Sequence, residues 1–345
     1  MRTLYYIGLD VHKKTIAYCV KNEQGRLMGR GTVEATRQGL RQWLKGLPGP
    51  WVGALEATLF TGWIYDFLKP HAVAVKVAHP AMLKAIGASK KKNDRIDAEV
   101  ICDLLRVNLL PECYMADERT RALRRMLRYR NVVVTMATRM KNKMVGLLME
   151  VGAPYNKKKL HGKKYFRELL ENLEEAPESV VELLRLSRGQ LEMFTTIQRR
   201  LVEQLAADRA LIRRVTLLQS IKGVGEVTAL TWALEVGDPA RFGSLKHAIS
   251  YCGLCSAQRE SAGKSQRGPL SKMRNKHLQT ILIEAAKLAP RWNPELAAIY
   301  QRELGRGNAN RATLAVARKL VAWLLAVDKR RSAFVAREVP QTQVA

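Results

Sequence analysis

Four carboxylates carry the chemistry open to this sequence: Asp10, Glu56, Asp94 and Asp97. Asp10 closes the apolar run that begins at Leu4, and Glu56 closes a second that begins at Trp51. Asp94 and Asp97 stand three residues apart in Lys92-Asn93-Asp94-Arg95-Ile96-Asp97-Ala98-Glu99, where a helical pattern opens, so both face one side of a helix. Oxygen-only donors suit magnesium, and two such ions about 3.5–4 Å apart drive phosphodiester chemistry. Taken singly, each acid has a plainer reading. Asp10 reads as a turn aspartate and Glu56 as an exposed strand end. Asp94 and Asp97 read as an N-cap and a first-turn residue favoured by the helix dipole. Their order and context together point to a metal site.

The charge of the chain says what such a site would act on. Its 345 residues carry 59 Lys and Arg against 31 Asp and Glu, a formal net charge of +28. A field of that sign attracts polyanions, and phosphate neutralisation with counterion release is the expected source of affinity. The charge is spread along the chain rather than confined to one amphipathic helix, which favours nucleic acid over a membrane surface. No run approaches about 18 uninterrupted apolar residues, so no membrane span is expected. The first apolar run is too short for a signal peptide and is broken by Asp10. Five cysteines, an odd number, fit a reduced cytoplasmic protein. Cys252 and Cys255 form a lone C-x-x-C without further ligands at zinc spacing, and read as buried small residues.

The elements that must position the acids follow from periodicity. Residues 4–10, 14–21 and 26–34 read as three strands of an antiparallel meander, with turns at 11–13 and 22–25. Residues 36–47 read as helix, 51–56 as strand, 62–68 as helix and 72–77 as strand. Residues 94–108 read as a helix with Ala98, Ile101, Leu104 and Leu105 on its apolar side. Three antiparallel strands followed by alternating helix and strand is the element order of the ribonuclease H fold.

Beyond residue 117 the character changes to long helices. Residues 117–151 are very basic, and a second stretch runs from Pro177 to about Leu218 with apolar positions near heptad spacing. Together they predict an antiparallel helical hairpin or coiled coil. The Lys-rich break at 154–164 is a solvated loop or a phosphate-contacting one. Residues 219–327 read as a mostly helical third region. It opens on Ile221-Lys222-Gly223-Val224-Gly225-Glu226, a glycine-x-glycine turn like that of helix-hairpin-helix DNA binders. Backbone N–H groups at the next helix start could hold a phosphate there. A tight turn between helices asks for the same glycines. The fold class is thus α/β plus α. Expected boundaries give a ribonuclease H-like catalytic domain at 1–112, a helical linker and oligomerisation region at 113–218, a C-terminal domain at 219–330 and a flexible tail at 331–345.

Several motifs resemble those of one family. They are Gly8-Leu9-Asp10-Val11-His12-Lys13, Glu56-Ala57-Thr58 and Asn93-Asp94-Arg95-Ile96-Asp97-Ala98, the glycine turn with Phe242 and Gly253-Leu254, and Ser261. Across nearly its whole length the chain resembles the DEDD transposases of bacterial insertion sequences, a family that includes Piv-type DNA invertases and bridge-RNA-guided recombinases. The family more often has Thr where Asn93 stands. Ala262 intervenes before Gly263, and Ser271-Lys272-Met273-Arg274-Asn275 lacks the glycine that usually precedes that asparagine.

The resemblance implies a RuvC-like N-terminal domain in which Asp10, Glu56, Asp94 and Asp97 hold one or two Mg2+. It also implies a serine nucleophile at Ser261. On chemistry alone Ser256, Ser265 and Ser271 have equal claims, and any serine hydroxyl needs a base or a metal to attack at neutral pH. Donor and target DNA are the implied partners, with a bridge RNA as guide and assembly into homodimers or homotetramers, in the bacterial cytoplasm on the nucleoid. Lys264, Arg267 and Lys272 would steady phosphate charge, and Lys222, Gly223 and Gly225 would contact nucleic acid. One alternative is a structure-specific, Holliday-junction-type endonuclease that uses only the carboxylates and hydrolyses. Another, resting on charge alone, is a non-catalytic packaging protein, against which the ordered acids argue.

Overall fold

The computed structural model describes residues 3–86, 93–173, 176–261 and 263–336; the side chains of Arg259, Ser265 and Arg267 lie outside that description, as does most of the expected tail. The chain divides into two compact units, Met1–Glu118 and Arg119–Ala345.

The first unit runs β1 (Tyr5–Val11), β2 (Thr15–Lys21), β3 (Leu27–Glu34), α1 (Arg37–Lys45), β4 (Trp51–Glu56), α2 (Thr61–Leu68), β5 (Ala74–Ala78), α3 (Pro80–Ile86) and α4 (Asp94–Arg106). Its five-stranded sheet has the order β3-β2-β1-β4-β5. β1, β2 and β3 are antiparallel neighbours, as the meander predicts. β4 lies parallel to β1, and β5 parallel to β4. Side chains alternate between faces along each strand. Ile7, Leu9, Val11, Leu55, Val75 and Val77 bury one face against Leu40 of α1 and Ile64 and Leu68 of α2. The other face presents Ala54 and Ala78 to Ile101 and Leu105 of α4.

Gly8 sets how closely α4 lies on the sheet. A Cβ at this position would run into the carbonyl oxygen of Ala98 and the backbone nitrogen of Cys102. Only glycine lets helix backbone and strand backbone meet there. Lys21 of β2 pins the same helix, with Nζ 2.9 Å from Glu99 Oε1 and 2.8 Å from Asp103 Oδ2. Burial disfavours the ammonium, but hydrogen bonds to both carboxylates outweigh it and raise its pKa. At the helix start Asn93 Oδ1 accepts from the Ile96 N–H at 2.9 Å. Asn93 is therefore the N-cap, and Asp94 and Asp97 both fall in the first turn.

The second unit contains α5 (Glu118–Glu150, which starts on the last residue of the first unit), α6 (Lys163–Glu171), α7 (Glu178–Ala206), α8 (Arg209–Gln219), α9 (Glu226–Val236) and α10 (Leu245–Tyr251). A hairpin of β6 (Ser256–Ser261) and β7 (Lys264–Leu270) follows, then α11 (Lys276–Leu288), α12 (Pro294–Gly305) and α13 (Ala309–Arg330). Residues of α5 and α7 share one buried cluster, among them Met144, Leu148, Leu184 and Leu191, with Phe166 of α6 packed between. The helix expected from 177 to 218 is two helices. Ala207 closes the first and Asp208 caps the second, its Oδ1 accepting from Ala210 N–H at 3.0 Å and Leu211 N–H at 3.2 Å. α6, which begins at the end of the Lys-rich break and stops before Pro177, and the hairpin are further departures; the hairpin's mostly polar sequence carries neither an apolar alternation nor a helical stripe.

A fully buried carboxylate ties α5 to the rest of this unit. Glu235 of α9 accepts from Arg128 Nε and Nη2 at 2.8 Å each, and from Asn275 Nδ2 at 2.8 Å. Burial alone would raise its pKa. Arg128 above all, then Asn275 and Arg124, bring it below the ordinary carboxylate value.

Two outcomes follow from these contacts. Gly8→Ala should destabilise the first unit by about 3 kcal/mol, read as a lowered urea midpoint, because helix and strand must separate. Glu235→Ala removes the buried acceptor shared by Arg128 and Asn275 and should cost about 1–3 kcal/mol. In the unaltered protein the Glu235 contribution is complete above the ordinary carboxylate pKa. It is lost as pH falls through the lower folded-state value, so urea midpoints of wild type and Glu235→Gln should converge in acid.

Candidate metal centre and serine hairpin

The register of β1 with β4 runs from Tyr5↔Trp51 to Leu9↔Leu55. One further step sets Asp10 beside Glu56, at the C-terminal ends of two parallel strands. Gly8 and Ala54 face α4, so the strand period turns Asp10 and Glu56 toward α4 as well. The first turn of α4 supplies Asp94 and Asp97 to that side.

His12, just past the end of β1, joins the acids. Its Nε2 lies 3.0 Å from Asp10 Oδ2 and 3.3 Å from Asp94 Oδ1. One donor atom from each of Asp10, His12 and Asp94 falls within 4.8 Å of the others. That spacing has room for a cation with bonds of about 2.0–2.6 Å. Asp97 is near enough to act on Asp10 electrostatically. Glu56 is half-buried at its strand end.

The electrostatics make the same point. Burial pushes the Asp10 carboxyl up; His12 opposes this, and Asp97 and Asp94 push it further, leaving it above the ordinary aspartate value. Burial pulls His12 down, but Asp10 and then Asp94 outweigh it, so its pKa is raised. Crowded acids with a destabilised charge are what a divalent cation relieves. The donor set fits such an ion. His12 sits inside the first of the sequence motifs, yet an oxygen-only ligand set gives it no role. Its signal is the two-residue step from Asp10, which carries the same face past the strand end.

Ser261 is exposed at the end of β6 and pairs with Lys264 across a two-residue turn. Gly263 closes that turn with φ +77°, while Ala262 lies outside the described residues. The competing serines differ. Ser271 Oγ accepts from the Met273 N–H at 3.2 Å, and Ser256 opens β6 at the far end of the hairpin. The side chain of Ser265 is not among those described. Lys264 and Lys272 are exposed, and the Arg267 side chain lies outside the description. Between α8 and α9, Gly223 takes φ +101°, and a Cβ there would stand 2.6 Å from Ala289 Cβ. Lys222 is exposed beside it, and Gly225 occupies the N-cap position of α9.

Residues 7–152 match the transposase family of the DEDD type named for IS110. Residues 215–301 match the family described as Transposase IS116/IS110/IS902. The chain is similar to the transposase for insertion sequence element IS1328 of Yersinia enterocolitica, 27% identical over 340 residues that cover 94% of this chain and 97% of that one. It is also similar to the transposase for insertion sequence element IS1111A of Coxiella burnetii, 25% identical over 332 residues, 92% of this chain and 88% of the other. The protein is thus an enzyme of DNA rearrangement, a DNA transposase. It belongs to the DEDD transposases of bacterial insertion sequences, the IS110 family. Among the described residues no helix is long and apolar enough to cross a membrane.

Asp10→Asn removes the largest influence that raises the His12 pKa while leaving its burial. The midpoint of the His12 imidazole resonances, followed by NMR through a pH series without divalent cation, should move to lower pH than in wild type.

Proposed function

We propose that this transposase cuts and rejoins donor and target DNA with a carboxylate-held magnesium site and a serine nucleophile, Ser261, on sites selected by a bridge RNA. The observation that carries the metal half is the convergence of Asp10, His12 and Asp94 at one strand end. The strand order β3-β2-β1-β4-β5, with its antiparallel and parallel halves, supports a ribonuclease H-like, RuvC-like catalytic domain over 1–112.

Asp10, Asp94 and His12 would hold the ion, with Glu56 and Asp97 completing the set. When bound, magnesium withdraws charge from the scissile phosphate and lowers the pKa of a hydroxyl that it ligates. Ser261 Oγ gives up its proton and forms a bond to phosphorus, and a deoxyribose oxygen departs as the hydroxyl. The phosphoserine ester keeps the energy of the phosphodiester. Attack by a DNA hydroxyl then restores the Ser261 hydroxyl and joins the new strand without ATP. Lys264, Arg267 and Lys272 offset phosphate charge around the hairpin. Lys222, Gly223 and Gly225 hold nucleic-acid backbone at the start of α9.

The net charge of +28 supports a protein that carries RNA as well as DNA. Base pairing would then read sequence while the protein reads backbone and shape. Region 113–218 is the proposed assembly region. Tyr129, Val132 and Met136 of α5, and Leu183, Leu186 and Met193 of α7, are exposed at near-heptad spacing, which suits a coiled-coil homodimer or homotetramer. The C-terminal domain, 219–330, carries Ser261.

One observation favours a second reading: all four acids and His12 lie in the first unit, without the serine. Such a site could hydrolyse a DNA junction unaided, as a structure-specific endonuclease. Trapping separates the two. The protein is mixed with magnesium, RNA from the flanks of its gene and labelled DNA spanning the element ends, then denatured. A covalent DNA–peptide adduct at Ser261 is expected, absent in both Ser261→Ala and Asp10→Ala. Strand exchange undiminished in Ser261→Ala contradicts the serine, and nicked DNA without any adduct moves the enzyme to hydrolysis.

A further inference from the structure

Trp292 is 68% exposed, while each of the other five tryptophans of the chain is buried or half-buried. Leu288, one turn before it, is 51% exposed. Single exposed apolar side chains are ordinary on protein surfaces. This one is held on a rigid base among cations.

The segment that carries Trp292 is docked on the glycine turn between α8 and α9. Gly223 leaves no room for a side chain against Ala289. The Trp292 N–H donates to the Ala289 carbonyl at 3.0 Å. Asn293, itself buried, caps α12 by accepting from the Leu296 N–H at 3.2 Å, and its Nδ2 donates to the Lys222 carbonyl at 3.5 Å. The backbone on both sides of Trp292 is therefore tied down, and one of those ties reaches Lys222.

The surroundings carry a small excess of positive charge. Lys222, Lys287 and Arg291 are exposed. Of the nearby acids, Glu284 is paired with Lys287 at 2.8 Å and Glu295 with Lys319 at 2.8 Å. Glu226, at the start of α9, is also exposed. An apolar face this large, next to cations on a nucleic-acid enzyme, suits a ligand that is anionic along one edge and aromatic along the other. A nucleotide strand has that chemistry. In a duplex both faces of each base are covered by stacking, so only an unpaired base can lie on an aromatic side chain.

We propose that Trp292 is a stacking platform for an unpaired nucleobase of a strand whose backbone runs past Lys222 and Arg291. The inference rests on the reading of the Lys222–Gly225 turn as a nucleic-acid contact, and it extends that reading from backbone to base. Stacking needs only a base face, so the platform is indifferent to sequence and serves a strand opened during exchange.

The test is a fluorescence and affinity titration of the full chain with oligodeoxythymidylate, oligouridylate and a fully paired DNA hairpin. The single strands should quench tryptophan emission, and the tighter of the two identifies the strand that the platform takes. Trp292→Ala should abolish most of that quenching and weaken single-strand binding about tenfold, leaving duplex binding unchanged. Trp292→Phe should restore the single-strand affinity without the quenching. Wild-type single-strand affinity in Trp292→Ala, or an equal loss on duplex, overturns the platform. Lys222→Glu serves as the separate arm for the turn, because a lost backbone contact weakens single strand and duplex alike. If Lys222→Glu changes neither while Trp292→Ala still loses the single strand, the turn reading fails and the platform stands.

Discussion

The backbone contact between α4 and β1 at Gly8 is the constraint on which the acidic site depends. Asp10 belongs to the strand and Asp94 and Asp97 to the helix, so nothing along the chain brings them together. They meet because helix and strand approach to a distance that no side chain at position 8 would permit. Lys21 holds the same helix through Glu99 and Asp103, one and two turns past the acids. Cys102 Sγ adds a contact to the Tyr6 carbonyl at 3.2 Å. These interactions pin the body of α4, and the first turn is carried with it to the strand ends.

That packing forces a cost onto the site. Asp10 is buried beside other carboxylates, and burial alone raises its pKa. His12 offsets part of this by lying between Asp10 and Asp94. The arrangement is a charge imbalance held in place by hydrophobic packing elsewhere on the sheet, and a divalent cation resolves it. In the second unit a comparable burden is resolved internally. Glu235 is buried, and two arginines and an asparagine satisfy it completely, so it serves structure. The difference between the two clusters is whether the chain supplies its own counter-charge.

Much of the first unit is legible in the sequence because short apolar runs bounded by turns fix both element and face. β4 has the expected bounds, 51–56, and the helix expected at 94–108 is α4, Asp94–Arg106. The four acids are legible as strand-end and helix-start residues. The role of His12 is not, because it depends on where the first turn of α4 lands. The serine hairpin is hidden for a different reason. Ser256–Ser261 and Lys264–Leu270 are mostly polar and pair with each other at the surface, so no apolar period marks them. The break at Asp208 hides inside a continuous helical pattern, where an N-cap aspartate looks like any exposed acid. Glu235 carries no local signal, because Arg128, which bonds it, lies more than a hundred positions earlier.

Manganese binding tests the central claim, that the strand-end acids form a divalent-cation site, without requiring DNA, RNA or turnover. Mn2+ titrated into the full chain and counted by electron paramagnetic resonance should show a tightly held ion. Mg2+ should displace it, and Asp10→Ala should lose it while its circular dichroism stays that of wild type. Tight Mn2+ retained undiminished in a folded Asp10→Ala protein, or no tight ion in wild type, would contradict the account.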